Sequence, residues 1–238
     1  MTAIPFRQEV YYPESDGKPM GETEIHIREI MYLFQALDEG MRNESEVYVG
    51  ADMLLYYVEG NPRKFVVPDV FVVNGVPRGE RRIFKVWAEG RAPALIIEVT
   101  SDSTRDEDVI GKKDLYERLG VEEYVLHDPL GDYLNPPLQA FRLVKGRYQP
   151  IRLDSDVSFE SRATGLTLRR EGRGLRVVDT ATGKPILNNE EVREKLVAES
   201  IARRAAEDEL AAEARARLAA EEELARLRAE IERLRSQS

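Results

Sequence analysis

Two apolar runs constrain this chain more than anything else in it. Phe65-Val66-Val67-Pro68-Asp69-Val70-Phe71-Val72-Val73 and Ala94-Leu95-Ile96-Ile97-Glu98-Val99-Thr100-Ser101 both read as strands of buried core. Each is interrupted by a carboxylate, Asp69 in the first and Glu98 in the second. Burial disfavours the charged form of a lone carboxylate, so each acid needs a partner or a purpose. Lys112, on a helix downstream of the second run, completes an acid-acid-lysine set of the kind that serves a metal-dependent site.

Composition narrows the choice of metal. The 238 residues include no cysteine, and His26 and His127 are the only histidines. Thiolate and multi-histidine sites are therefore excluded, and an ion held by oxygen donors points to Mg²⁺ or Mn²⁺. No apolar run approaches the roughly 20 residues of a membrane span. The stretch Met1-Thr2-Ala3-Ile4-Pro5-Phe6-Arg7 also lacks the apolar core of a signal peptide. The expected location is cytoplasmic, with no membrane partner. Net charge is −9, and the segment from Glu190 to Ser238 holds 13 acidic and 10 basic residues, so the body before it is acidic too. That balance disfavours tight non-specific binding to a phosphate backbone.

Three sections follow from the pattern: an irregular, Pro- and Gly-rich arm over 1–20, a mixed α/β domain over 21–188, and a helical segment over 189–238. The domain opens with a helix near 22–39, whose Ile27, Ile30, Met31, Phe34 and Leu37 share one face. Strands are predicted at 46–49, 52–58, 65–73 and 94–100. Residues 75–92 read as a surface excursion carrying Arg78, Arg81, Arg82, Lys85 and Trp87. The next helix, 105–119, has Thr104 and Glu107 in capping-box spacing and Gly120 as its stop. A strand at 123–127 closes a strand–helix–strand crossover. Hairpins are predicted at 138–144 with 148–153, and at 166–170 with 175–179.

The last section is almost wholly Ala, Glu, Arg and Leu, with no Pro or Gly to interrupt it. Leu224, Leu227, Ile231 and Leu234 step by three and four and form a short heptad seam. An exposed helix this long gains little stability alone, which favours a homo-oligomer, a dimer first.

On the helix after Thr104, Val109, Lys112, Tyr116 and Leu119 share a face, so Lys112 points inward more than Lys113 does. Asp108 lies one turn before Lys112 and within its reach. The same residues also admit a purely structural reading. Asp69 can end a strand and turn the chain, Glu98 can pair with Lys112 or Arg105, and Asp108 with Lys112 can be an ordinary helix pair.

The ordered series is more specific than any one of its parts. It runs Pro68-Asp69, Glu98-Val99, Ser101-x-Ser103-Thr104-Arg105, Asp108, Lys112, Leu115-Tyr116, Gly120-Val121-x-Glu123-Tyr124 and Asp128-Pro129. It resembles the Uma-two family, a branch of the PD-(D/E)XK endonuclease superfamily, over about residues 20–155. The resemblance implies a restriction-endonuclease-like mixed β-sheet core flanked by helices, to which this chain adds a long C-terminal, coiled-coil-like helix. It implies a hydrolase that cuts the phosphodiester bonds of DNA with Mg²⁺ or Mn²⁺. Asp69 and Glu98 would hold the metal, with the Val99 backbone carbonyl as a third oxygen and Lys112 as the catalytic cation.

The superfamily's usual lysine lies two residues after the second acid, where this chain has Thr100; Lys112 stands in the matching place on the following helix. A first-helix glutamate often joins such sites, and the sequence leaves Glu22 and Glu24 both open. Asp108 and Tyr116 are supporting candidates. His26 reads as a capping or satisfied helix residue and His127 as structural. Arg78, Arg81, Arg82 and Trp87 are candidate nucleic-acid contacts, with a solvated loop over a buried tryptophan as the simpler reading. A different class of function is also open: a catalytically silent nuclease-fold module that assembles through its C-terminal helix.

Overall fold

The second half of the first apolar run and the core of the second lie side by side at the centre of a mixed sheet. The computed structural model describes residues 10–15, 17, 23–101, 104–155 and 157–236. The chain falls into two compact units, Met1–Ile186 and Leu187–Ser238. In the first, α1 (Glu24–Gly40) leads into β1 (Val47–Ala51), β2 (Leu55–Tyr56), β3 (Phe65–Val66), β4 (Val70–Asn74), β5 (Phe84–Lys85), α2 (Val86–Glu89) and β6 (Leu95–Val99). A π-helical turn, Glu107–Lys112, runs directly into α3 (Lys113–Leu119). Then come β7 (Glu123–His127), β8 (Leu138–Val144), β9 (Arg147–Pro150), β10 (Ser158–Glu160), β11 (Leu166–Glu171) and β12 (Gly174–Asp179).

The main sheet has six strands in the order β1-β4-β6-β7-β8-β9. Its pairs are antiparallel except β6 with β7, the two strands joined by the helical crossover. Both faces of its central strands β4 and β6 are covered, which is why these read as nearly continuous apolar runs. Val70, Val72, Leu95, Ile97 and Val125 pack with α1 residues Leu33 and Leu37 and with Leu168 and Val177 of the β10–β12 sheet. Phe71, Val73, Ile96, Tyr124 and Leu126 pack on the other face with Tyr116 of α3. At Gly50 of β1 the Phe71 ring of β4 comes so close that any Cβ would overlap it. The turn between β8 and β9 uses Lys145 at φ 51° and Gly146 at φ 78°, the paired positive φ of a twist-matched two-residue hairpin.

The structure departs from the sequence reading at six places. The run 65–73 is two strands in different sheets: β3 pairs with β2, and β4 with β1 and β6. Pro68 has no N–H for a ladder, and the Pro68 and Asp69 carbonyls both accept from the Asp52 N–H at 3.1 Å. Asp69 thus sits in the break, immediately before β4. The strand predicted over 52–58 shrinks to Leu55–Tyr56. The excursion at 75–92 contains β5, which pairs with β2, and the short α2. The strand β10 was not predicted at all.

Helix α1 is rotated from its predicted face. Its buried residues are His26, Tyr32, Leu33, Ala36 and Leu37, while Ile27 and Met31 are 48% and 54% exposed. Polar anchors set this phase. The Tyr32 hydroxyl donates to Ile186 O at 3.0 Å, and Glu29 accepts from the Leu175 N–H. The helix at 105–119 is π-helical over its middle, and its capping box does not form: Thr104 Oγ1 instead accepts from the Ser101 N–H at 3.1 Å.

The second unit is α4 (Asn189–Arg235). Asn188 and Glu191 make a reciprocal capping box at its start, each side chain accepting from the other residue's N–H at 2.8 Å. No residue of α4 is buried, and Leu224, Leu227, Ile231 and Leu234 are all exposed. Among the described residues no helix is long and apolar enough to cross a membrane.

Candidate active site

The break before β4, the end of β6 and the π-turn bring Asp69, Glu98, Lys112 and Asp108 into one cluster. Glu98 is fully buried on the face of β6 that meets Tyr116. Its Oε2 accepts from Lys112 Nζ at 2.8 Å and its Oε1 from the Tyr116 hydroxyl at 2.7 Å. Asp69 is tied to the same strand: its Oδ2 accepts from the Val99 N–H at 2.6 Å, and its own N–H lies 3.4 Å from Glu98 Oε2. Lys112 also forms an ion pair with Asp108 at 3.0 Å. The Tyr124 hydroxyl holds the backbone of the π-turn through Asp108 O at 2.9 Å.

The charges of this cluster do not balance locally. Three carboxylates surround one ammonium. Burial pushes Glu98 up to about 8 against the pull of Lys112, and the Asp69 and Asp108 charges push the same way. Burial raises Asp108 as well, although Lys112 draws it down. For Lys112 burial pulls down, but Glu98, Asp108 and Asp69 outweigh it and raise the ammonium above its ordinary range. Lys112 therefore stays charged. Burial and the adjacent Glu98 hold the Tyr116 hydroxyl well above its ordinary value, so it serves as a neutral donor.

A small hard cation suits this donor chemistry. Among the described residues no three His, Cys, Asp or Glu side chains form a ready cage for a metal. A site built on two carboxylates, a peptide oxygen and water is the arrangement Mg²⁺ commonly takes. The excess negative charge around Glu98 supplies the attraction. Thr100, where the superfamily's lysine would stand, is buried, and its hydroxyl has no hydrogen-bond partner among the described residues.

The other sequence candidates scatter. Glu22 lies outside the described residues. Glu24 is exposed and pairs with Arg28 at 2.8 Å, away from the cluster. Arg78 is ion-paired with Asp38, Arg81 with Glu89 at 2.8 Å, and Arg82 with Glu14. Arg81 also lies over the Tyr48 ring, and Trp87 packs on Tyr12 with ring centroids 5.4 Å apart. Each of these guanidinium groups is matched to a carboxylate.

The sequence reading of His26 is a capping or satisfied helix residue. It is buried in the first turn of α1, with Nε2 3.6 Å from Asp69 Oδ1. The residues 26, 29, 33, 36 and 37 do share a helical face, and that mixed polar and apolar stripe was the signal that could have found it.

No curated protein matches the chain. Among solved structures it is similar to a protein from Anabaena variabilis ATCC 29413 described as "a putative nuclease belonging to DUF820". The two are 16% identical with a TM-score of 0.43, over 60% of this chain and 81% of the other. The Uma2 family profile, described as "Putative restriction endonuclease", matches residues 9–171. That match spans well over half of the chain and the whole of the Asp69–Glu98–Lys112 cluster, and the chain belongs to the Uma2 family.

Proposed function

We propose that this chain is a metal-dependent endonuclease that hydrolyses DNA phosphodiester bonds. In this reading Asp69, Glu98 and the Val99 carbonyl hold Mg²⁺ or Mn²⁺. A bound divalent ion polarises the phosphate and lowers the pKa of a coordinated water. The observation that carries the reading is the Lys112 ammonium, delivered by the π-turn to within 2.8 Å of a buried carboxylate that also neighbours Asp69.

Each side chain then has a role that its surroundings support. Asp69 and Glu98 present fixed oxygens where the start of β4 meets the end of β6, oriented by the Val99 N–H and by Tyr116. Lys112 offers a permanent positive charge to the negative charge that builds on the phosphate oxygens, without reorganising during the reaction. Asp108 holds Lys112 from the opposite side and keeps it aimed at Glu98. The test is cleavage of plasmid and linear DNA by the purified full chain with Mg²⁺ or Mn²⁺, beside Asp69→Ala and Glu98→Ala. Absence of metal-dependent cleavage in the unaltered protein overturns the reading.

A second reading rests on α4. The exposed Leu224, Leu227, Ile231 and Leu234 offer a seam for a second copy of this helix, so assembly is a function the chain can perform with or without cleavage. Light scattering of the full chain, and of a chain shortened to end at Asn188, tests it. A dimer that becomes a monomer on shortening supports assembly through α4, and an unchanged mass removes it.

A further inference from the structure

His26 is placed to do more than fill a helix. The Thr23 side chain caps α1 by accepting from the His26 N–H at 3.3 Å, which fixes the first turn and brings the imidazole against Asp69. The Nε2···Oδ1 separation of 3.6 Å is too long for a hydrogen bond. It is shorter than two metal–ligand bonds laid end to end, about 4 Å. Two neighbouring donors on a single cation stand at that kind of spacing. The other oxygen of Asp69 is occupied by the Val99 N–H, so Oδ1 is the one turned toward the imidazole.

His127 shows how a structural histidine looks in the same protein. It is fully buried on β7, with Nε2 3.1 Å from Arg173 O and 3.3 Å from Glu29 Oε1, a setting that ties α1 to the segment before β12. His26 faces Asp69, a carboxylate of the candidate site. Glu24, the described one of the two candidate first-helix glutamates, is turned to Arg28 in solvent.

We propose that His26 is a ligand of the divalent metal, and that α1 contributes a nitrogen to this site rather than a carboxylate. The proposal rests on the reading that Asp69 holds the metal. An imidazole beside hard oxygens biases a site toward Mn²⁺ and later first-row ions over Mg²⁺. The chain should therefore bind Mn²⁺ more tightly than Mg²⁺, and His26 should carry much of the difference.

The experiment is Mn²⁺ and Mg²⁺ titration of the full chain by calorimetry, joined to pulsed EPR of the Mn²⁺-loaded protein. The expected result is a ¹⁴N coupling from a directly bound imidazole in the unaltered protein, lost in His26→Ala and in His26→Gln. In the same variants Mn²⁺ affinity should fall by about tenfold or more, with Mg²⁺ affinity changing much less. The glutamine variant keeps a polar side chain at this buried position, and the spectrum of the unaltered protein needs no variant to fold. Mn²⁺ binding that Asp69→Asn abolishes, with no imidazole ¹⁴N coupling, overturns the role of His26 and leaves the nuclease reading standing. Absence of Mn²⁺ binding, or binding that Asp69→Asn does not weaken, overturns both.

Discussion

Two groups of buried carboxylates serve this fold in opposite ways. Glu123, at the start of β7, accepts from Arg142 at 2.8 and 2.6 Å, from the Ser161 hydroxyl at 2.6 Å and from the Arg162 N–H at 3.1 Å. Asp128, just past the end of the same strand, accepts from four backbone N–H groups, those of Leu130, Gly131, Tyr133 and Leu134, at 2.7–3.0 Å. Each of these acids is matched on the spot, one by a guanidinium and one by peptide donors. Around Lys112, Glu98 and Asp108 share a single ammonium, and the nearby Asp69 adds a third negative charge. The contrast separates acids that hold the chain together from acids whose leftover charge is a folding liability without a cation and an asset in binding one.

The sharpest way to break this contrast is to remove one acid of each kind. Asp69→Asn and Glu98→Gln should reduce metal-dependent DNA cleavage to background while the melting temperature holds, because each amide keeps the volume and the hydrogen-bond acceptor of the acid it replaces and removes its charge. Glu123→Ala should do the reverse. It strands Arg142 and should cost about 3–5 kcal/mol of stability, with cleavage per folded molecule retained. Thermal denaturation beside a cleavage assay reads both. A Glu123→Ala protein that melts normally yet does not cut would erase the distinction. Lys112→Ala comes next in size, with cleavage falling about 10²–10³-fold while calorimetry still detects Mn²⁺ binding.

The pH dependence of the metal-free protein sharpens the comparison further. Glu98 titrates near 8 in the fold, well above an ordinary glutamate. The folded state therefore holds a proton that the unfolded chain has already released. Stability from this group is complete below the ordinary glutamate range and is lost as pH rises toward 8, by up to about 1.4 kcal/mol per pH unit. Asp108, also raised, contributes with the same sign. Urea denaturation at pH 6 and pH 8 should show the loss, and Glu98→Gln should flatten it. Since binding a cation displaces that proton, Mn²⁺ affinity should rise over the same interval. A flat stability profile in the unaltered protein would mean that Lys112 alone keeps Glu98 ionised.

Much of this arrangement was legible in the sequence because β6 lies in a long apolar run broken only by Glu98, β7 carries the apolar Tyr124-Val125-Leu126, and the β8–β9 and β11–β12 hairpins are bounded by turn residues. The spacing of Asp108, Lys112 and Tyr116 survives the π-turn, since residues four apart stay on nearly one side of either kind of helix. What the sequence concealed came from polar groups deciding between apolar patterns. Helix α1 carries two plausible faces, and the stripe through Ile27 and Met31 is the more hydrophobic. Glu29 and Tyr32, bonding to Leu175, Val177 and Ile186, select the other and carry His26 inward. Similarly, Pro68 interrupts an otherwise ideal strand, and the interruption is what leaves the Asp69 side chain in the break before β4, against the end of β6. The face that α1 buries depends on partners more than a hundred residues away, which no local period records.

The smallest expected effect compares two tyrosine hydroxyls. Tyr116 donates to Glu98 Oε1 at 2.7 Å, and Tyr148 donates to Val121 O at 3.0 Å. Both are hydrogen bonds to acceptors in the same apolar layer, so Tyr116→Phe and Tyr148→Phe should each lower stability by about 1 kcal/mol. They part company at the metal. Without the Tyr116 donor, the ionised form of Glu98 loses support and its proton is held more tightly, so at pH 7 the Tyr116→Phe protein should bind Mn²⁺ several-fold more weakly. Raising the pH to 9 should restore most of that loss, because Glu98 is then ionised in either protein. Tyr148→Phe should leave Mn²⁺ affinity unchanged at both pH values. Equal Mn²⁺ affinities for the two variants at pH 7 would return Tyr116 to the structural class and leave Lys112 as the side chain that tunes Glu98.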